Sequence, residues 1–221
     1  MSGPTFALDA LAGALFLLTA LGILATRQVL ASLRLFVAQA LLLAVSAALL
    51  GRAAHSPHLL AVAAIAVVGK AMLIPWLLRH LVGTEVYRTR EVERVVNIPT
   101  TLLLAAALIV FAYALAEPLV AAIPAPFAAI NLPLGLATVL LGVLVVATRR
   151  EAVPQLCGLL AVENGVFFAG IAIAPDLSVI AELAVAVDVP IVAVVVGLLT
   201  HRIRTRIGTT SVGTLASLEE P

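Results

Sequence analysis

Seven stretches of this chain stay apolar for roughly twenty residues each, with short polar segments between them. They lie at about Thr5–Ala25, Gln28–Leu50, Pro57–Leu78, Asn97–Ala116, Phe127–Ala147, Ala152–Ala174 and Ser178–Thr200. A buried core segment seldom runs past about 14 apolar residues, whereas a helix that crosses a bilayer needs about 20. The pattern predicts an all-α integral membrane protein with about seven transmembrane helices. The first run has no basic region before it and carries Asp9, so it is expected to be a retained helix and not a cleaved signal peptide.

Positive charge alternates between the connections. The first carries Arg27 and Arg34 at its edges, the third Arg79, Arg88, Arg90 and Arg94, the fifth Arg149 and Arg150, and the tail Arg202, Arg204 and Arg206. The second, fourth and sixth carry only Arg52 between them, beside Glu117 and Asp176. Basic loops mark the cytoplasmic side. The N-terminus is therefore expected outside and the C-terminus in the cytoplasm, a parity that seven crossings satisfy.

The prolines and the polar segments suggest an organisation. Pro118, Pro124 and Pro126 predict a rigid, extended outer connection over 118–126. It divides a four-helix part, 1–117, from a three-helix part, 127–207, and 208–221 reads as a flexible cytoplasmic tail. The segment Arg79 to Val96 pairs Glu85 with Arg88 and Glu91 with Arg94 at i, i+3 spacing. It is expected as a short solvated helix or a docking surface for a peripheral subunit.

Composition agrees with the pattern and removes some classes of function. The 221 residues are 63% hydrophobic, against about 45–50% in a soluble domain. There is no basic tract interleaved with aromatics, so nucleic acid is not an expected partner, whereas the lipid bilayer is. Cys157 is the single cysteine and can neither form a disulfide within the chain nor hold an iron–sulfur cluster. His55 and His58 straddle Pro57 in a short loop, which suits a loop better than a metal site.

The candidate chemistry lies in ionisable residues inside the apolar runs. A charge at the middle of a membrane costs about 2.5–3.5 kcal/mol on insertion scales, and such groups mark ion or proton pathways. Lys70 is the only lysine and stands about ten residues before the end of the third run. That is roughly 15 Å at 1.5 Å per residue, too deep for the side chain to snorkel out. Pro75 follows it by five residues and is expected to disturb the helix. Glu163 lies near the middle of the sixth run, followed by Asn164, which can bond a carboxylate or water, and Gly165, which leaves room for a close neighbour. Asp188 lies near the middle of the seventh run, with Pro190 two residues on. Glu182 is six residues earlier, about 120° around the helix and about 9 Å away along it, and reads as an outer relay or an interfacial residue. Asn97 and Asn131 each precede a proline by two residues, which reads as helix-start chemistry.

These residues carry a resemblance. The last three runs resemble the small three-helix K subunit of respiratory complex I and the C subunit of Mrp-type antiporters, through Arg149-Arg150, Gly158, Glu163, Asp188 and the His201-Arg202 exit. Glu163 follows Gly158 by five residues, where that family's glutamate usually follows its glycine by two. The offset keeps the helix face and moves the depth by about 4.5 Å. Over the whole length the chain looks like hydrogenase-4 component E, which places four helices before the K-like part. The segments GKAMLIPWLLRHLV, REVERVVNIPTTLLL, LLAVENGVFFAG and ELAVAVDVPIVAVVVGLLTHRIR carry that likeness.

The resemblance implies a non-redox subunit in the membrane arm of an energy-converting hydrogenase or complex I-like oxidoreductase, in a prokaryotic inner membrane. Its implied neighbours are antiporter-like and quinone-module-like membrane subunits. Nickel–iron and iron–sulfur centres are implied in partner subunits, and no cofactor in this chain. Glu163, Asp188 and Lys70, with Glu182 further out, would then serve proton or sodium translocation. Two other readings stand beside this one. One is an assembly subunit of the same kind of complex, with the buried charges as interface ion pairs. The other is a stand-alone seven-helix ion transporter. A retinal protein would need its lysine in the seventh run and more than 5% aromatics.

Overall fold

The computed structural model describes residues 3–76, 97–123, 127–150 and 152–173. The seventh run with Glu182, Asp188 and Pro190 lies outside the described residues, as do the segment 79–96, the arginine-rich exit and the tail.

Among the described residues the protein is all-helical, and six helices are long and apolar enough to cross a membrane. They are α1 (Pro4–Ala25), α2 (Val29–Ala53), α3 (Pro57–Ile65, extended by a π-helical segment Ala66–Leu73 and on to Trp76), α4 (Ile98–Ala122), α5 (Ala128–Thr148) and α6 (Ala152–Ile173). Proline stands in the first turn of α1, α3 and α4, where its missing N–H has no helical partner to lose. Asn97 caps α4, its side-chain oxygen accepting from the Thr100 N–H at 3.0 Å, which is the helix-start role expected of it.

Exposure runs opposite to that of a water-soluble protein. Leu103 is 74% and Val110 70% exposed on α4, and Leu18 is 58% exposed on α1. Asp9, Gln39, Asn131 and Asn164 are wholly buried. Apolar surface outside and polar groups inside is what hydrocarbon solvent demands. This is the architecture of a multi-pass membrane protein.

The tightest packing joins α5 to α6 through four glycines. Gly135 faces Gly165, and Gly142 faces Gly158, on antiparallel helices. Each helix spaces its two glycines seven residues apart, which keeps them on one face. A Cβ on Gly135 would lie 2.6 Å from the Gly165 carbonyl, and one on Gly142 would lie 2.8 Å from the Gly158 carbonyl. Small residues of this kind let membrane helices approach backbone to backbone. α1 lies against α2 and α5, and α2 lies against α1, α3 and α6. Phe16 of α1 stacks on Phe168 of α6 at 4.3 Å between centroids, filling the centre of the bundle.

The expected outer connection is shorter than the prolines suggested. α4 runs through Pro118 to Ala122, so the connection begins at Ile123 and not at 118. Pro118 falls in the last turns of a long apolar helix and its side is exposed. One lost backbone bond there does not outweigh the apolar residues that continue to Ala122.

Candidate functional site

Three helices converge on Lys70. In the π-helical segment hydrogen bonds reach back five residues, as in the Ile74 N–H to the Gly69 carbonyl. In that register the donor for the Lys70 carbonyl would be residue 75, which is proline and has no N–H. The wide turn and the proline thus occur together, immediately around the lysine. π-Helical turns inside α-helices are frequent at functional sites. Of the π-helical residues only Ala66 and Lys70 are buried, so the segment turns this one side chain inward.

The Lys70 ammonium lies 2.6 Å from a Glu163 carboxylate oxygen, with Lys70 at 2% and Glu163 at 17% side-chain exposure. It also lies 4.2 Å from the centroid of the Phe167 ring. Glu163 and Phe167 are one turn apart on α6 and share a face, so one strip of α6 offers the cation a carboxylate and a π surface. Beside it, the Asn164 amide donates to the Gln39 side-chain oxygen of α2 at 3.2 Å. Two polar pairs thus meet at adjacent residues of α6, Lys70 on Glu163 from α3 and Gln39 on Asn164 from α2; they make up the polar centre.

A second polar cluster lies toward the end of the bundle where α1 begins and α2 ends. Ser46 donates to Asp9 at 2.5 Å, and the Asn131 amide donates to the Ser46 hydroxyl at 3.3 Å. The opposite end is tied by Arg149. Its guanidinium is 3% exposed and donates to the carbonyls of Ile23, Leu24 and Thr26 at 3.0, 2.8 and 2.8 Å. These are carbonyls at the C-terminus of α1, which have no helical donor of their own and favour a cation. Gln155 in turn donates to the Arg149 carbonyl at 2.8 Å.

The chain is 33% identical to the uncharacterized protein Rv0085 of Mycobacterium tuberculosis, over 223 aligned positions that cover 100% of both chains. The two proteins belong to one family. No family model matches the chain, and no solved structure matches it. The match extends over every helix described above.

Of the residues singled out from sequence, the structure brings Lys70 onto Glu163 and sets Asn164, the next residue of α6, on Gln39 of α2. Gly165 serves the α5–α6 contact, and Pro75 is buried at the end of the π-helical segment. Glu182, Asp188 and Pro190 lie outside the described residues. Two readings change. Asn131 is not helix-start chemistry but a buried amide within α5 that bonds Ser46. Arg149, expected as one of the two basic residues of the fifth connection, turns its guanidinium into the protein. The polar positions missed from sequence are Gln39 and Ser46, and Asp9 was noted only as a charge in the first run. The signal for Gln39 and Ser46 was the spacing of α2, where Ser32, Gln39 and Ser46 stand seven residues apart and are all buried. A polar residue at every second turn of one face marks a polar seam.

Proposed function

We propose that this protein is a non-redox membrane-arm subunit of an energy-converting hydrogenase or complex I-like assembly, and that it takes part in proton translocation. The observation that supports this is the buried Lys70–Glu163 pair on a π-helical turn. The carboxylate and the ammonium hold the two side chains together inside an apolar bundle. A proton delivered to Glu163 weakens that hold, and a proton removed restores it. Such a pair can pass a charge signal sideways to neighbouring subunits. In this reading Asp188 continues the relay and Glu182 lies further out along the same path.

The same proposal includes a seventh crossing over Ser178–Thr200, an outside N-terminus and a cytoplasmic C-terminus, in a prokaryotic inner membrane. Antiporter-like and quinone-module-like subunits are its neighbours, and nickel–iron and iron–sulfur centres belong to partner subunits. Arg149 favours a second reading, that of an assembly subunit. Its guanidinium is buried and ties the end of α1 to the start of the α5–α6 connection.

Charge-neutral variants separate the two. Glu163→Gln and Asp188→Asn should assemble with their neighbours on a native gel and lose redox-driven proton uptake into membrane vesicles. Variants that pump normally sink the relay. Variants that fail to assemble, while the assembled fraction pumps fully, support the assembly reading.

A further inference from the structure

Asp9 is a buried carboxylic acid that the Lys70–Glu163 pair does not involve. It lies within α1, wholly enclosed. One of its oxygens accepts from Ser46, and Asn131 closes the cluster through the same hydroxyl. Among the described residues, no donor completes a hydrogen bond to the other Asp9 oxygen or to the Asn131 side-chain oxygen, although both are buried. A buried anion with an unmatched acceptor beside it is expensive to keep. A positive charge on the unpartnered Asp9 oxygen relieves it, and a proton does so most economically. The protonated oxygen becomes a donor in a cluster that otherwise has a surplus of acceptors.

A metal cation suits the site less well. It would need a fuller shell of oxygens. α1, α2 and α5 run helically through Asp9, Ser46 and Asn131, so most backbone carbonyls there are engaged in helical bonds.

The cluster is also joined to the polar centre. Gln39 lies seven residues from Ser46 on the same face of α2, a step of about 10 Å. Gln39 bonds Asn164, the chain neighbour of Glu163. The Gln39 amide nitrogen and the Asn164 amide oxygen are buried and have no hydrogen-bond partner among the described residues. Buried polar atoms of this kind are commonly satisfied by internal water, and a step of about 10 Å suits water-mediated transfer.

We propose that Asp9 is a second proton-carrying station of this protein, loaded from the end of the bundle where α1 begins and connected to Lys70–Glu163 by water held on Ser46, Gln39 and Asn164. A hydronium ion gives its proton to the free Asp9 oxygen and leaves as water. Release passes the proton to the next water and restores the carboxylate. The onward connection rests on the translocation reading; the protonation of Asp9 does not.

The test is infrared difference spectroscopy between acidic and alkaline buffer, on the full chain in lipid nanodiscs. The expected result is a carboxylic-acid carbonyl band that moves in heavy water, vanishes in Asp9→Asn, shifts in Ser46→Ala and persists in Glu163→Gln. Retention of every carboxylic band in Asp9→Asn, with no shift in Ser46→Ala, overturns the proposal. So does a band that responds to sodium replacing potassium and not to pH. If Asp9→Asn does not fold, the Ser46→Ala shift decides alone. A lost Asp9 band together with normal pumping by Glu163→Gln keeps this station and sinks the relay. Lost pumping in Glu163→Gln with no Asp9 band does the reverse.

Discussion

Lys70 of α3 reaches Glu163 of α6 at 2.6 Å, although α2 is the helix packed against both segments and they scarcely approach each other's backbone. The long lysine side chain spans that separation.

That geometry sets the first prediction. Removing one partner of a buried ion pair typically costs about 3–5 kcal/mol, whereas replacing both by apolar residues of similar size is often neutral. Lys70→Met alone should therefore destabilise the protein by about that amount, and Lys70→Met with Glu163→Leu should recover most of it. Denaturant titration in detergent micelles measures the difference. Equal loss in the single and double variants would show that the pair contributes no coupling.

The thiol of Cys157 supplies a reporter for such titrations. It is the single cysteine and is wholly buried in α6. A maleimide reagent should leave it unlabelled in the native protein and label it completely once the bundle unfolds. Rapid labelling without denaturant would contradict the packing of α5 against α6.

Substitution of the paired glycines tests that packing directly. Gly142→Ala places a methyl 2.7 Å from Val162 and 2.8 Å from the Gly158 carbonyl. Overpacking of this kind costs about 1–3 kcal/mol. Gly3→Ala, where nothing lies within 4 Å, should leave stability unchanged. The comparison is read as the shift in the denaturant midpoint of Cys157 labelling.

Arg149 and Arg150 should differ sharply despite being adjacent. Arg149 is buried on three carbonyls of the α1 end, whereas Arg150 is exposed. Hydrogen bonds from charged groups are worth about 1.5–3 kcal/mol. Arg149→Ala should lose at least that much, and Arg150→Ala a few tenths at most. Arg149→Lys should rescue Arg149→Ala only partly, since an ammonium lacks the planar fork. Unfolding midpoints of the three variants provide the check.

The helices were legible because apolar length is a strong signal, and the described ends of α1, α5 and α6 fall within a residue of the apolar runs. Pro118 misled because proline near a helix end has two outcomes, and only the continuing apolar run to Ala122 decides between them. Lys70 and Glu163 were legible as anomalies, since each is an ionisable residue deep within an apolar run. That they meet was not, because no spacing relates residue 70 to residue 163. The π-helical segment was hidden as well: Pro75 signals a disturbance without saying which register relieves it. Asp9 was visible in the first run, but its meaning depends on Ser46 and Asn131, which only the folded bundle brings to it. Arg149 read as a loop charge because its acceptors lie on α1, more than a hundred residues away.

In the proposed relay Glu163, held by Lys70, carries charge during ion movement. The most direct measurement is the number of protons moved per redox turnover in vesicles containing the assembled complex, with Glu163→Gln compared against the native chain at equal assembly. The expected result is intact electron transfer with proton movement abolished. Unchanged proton movement in a fully assembled Glu163→Gln complex would contradict the account.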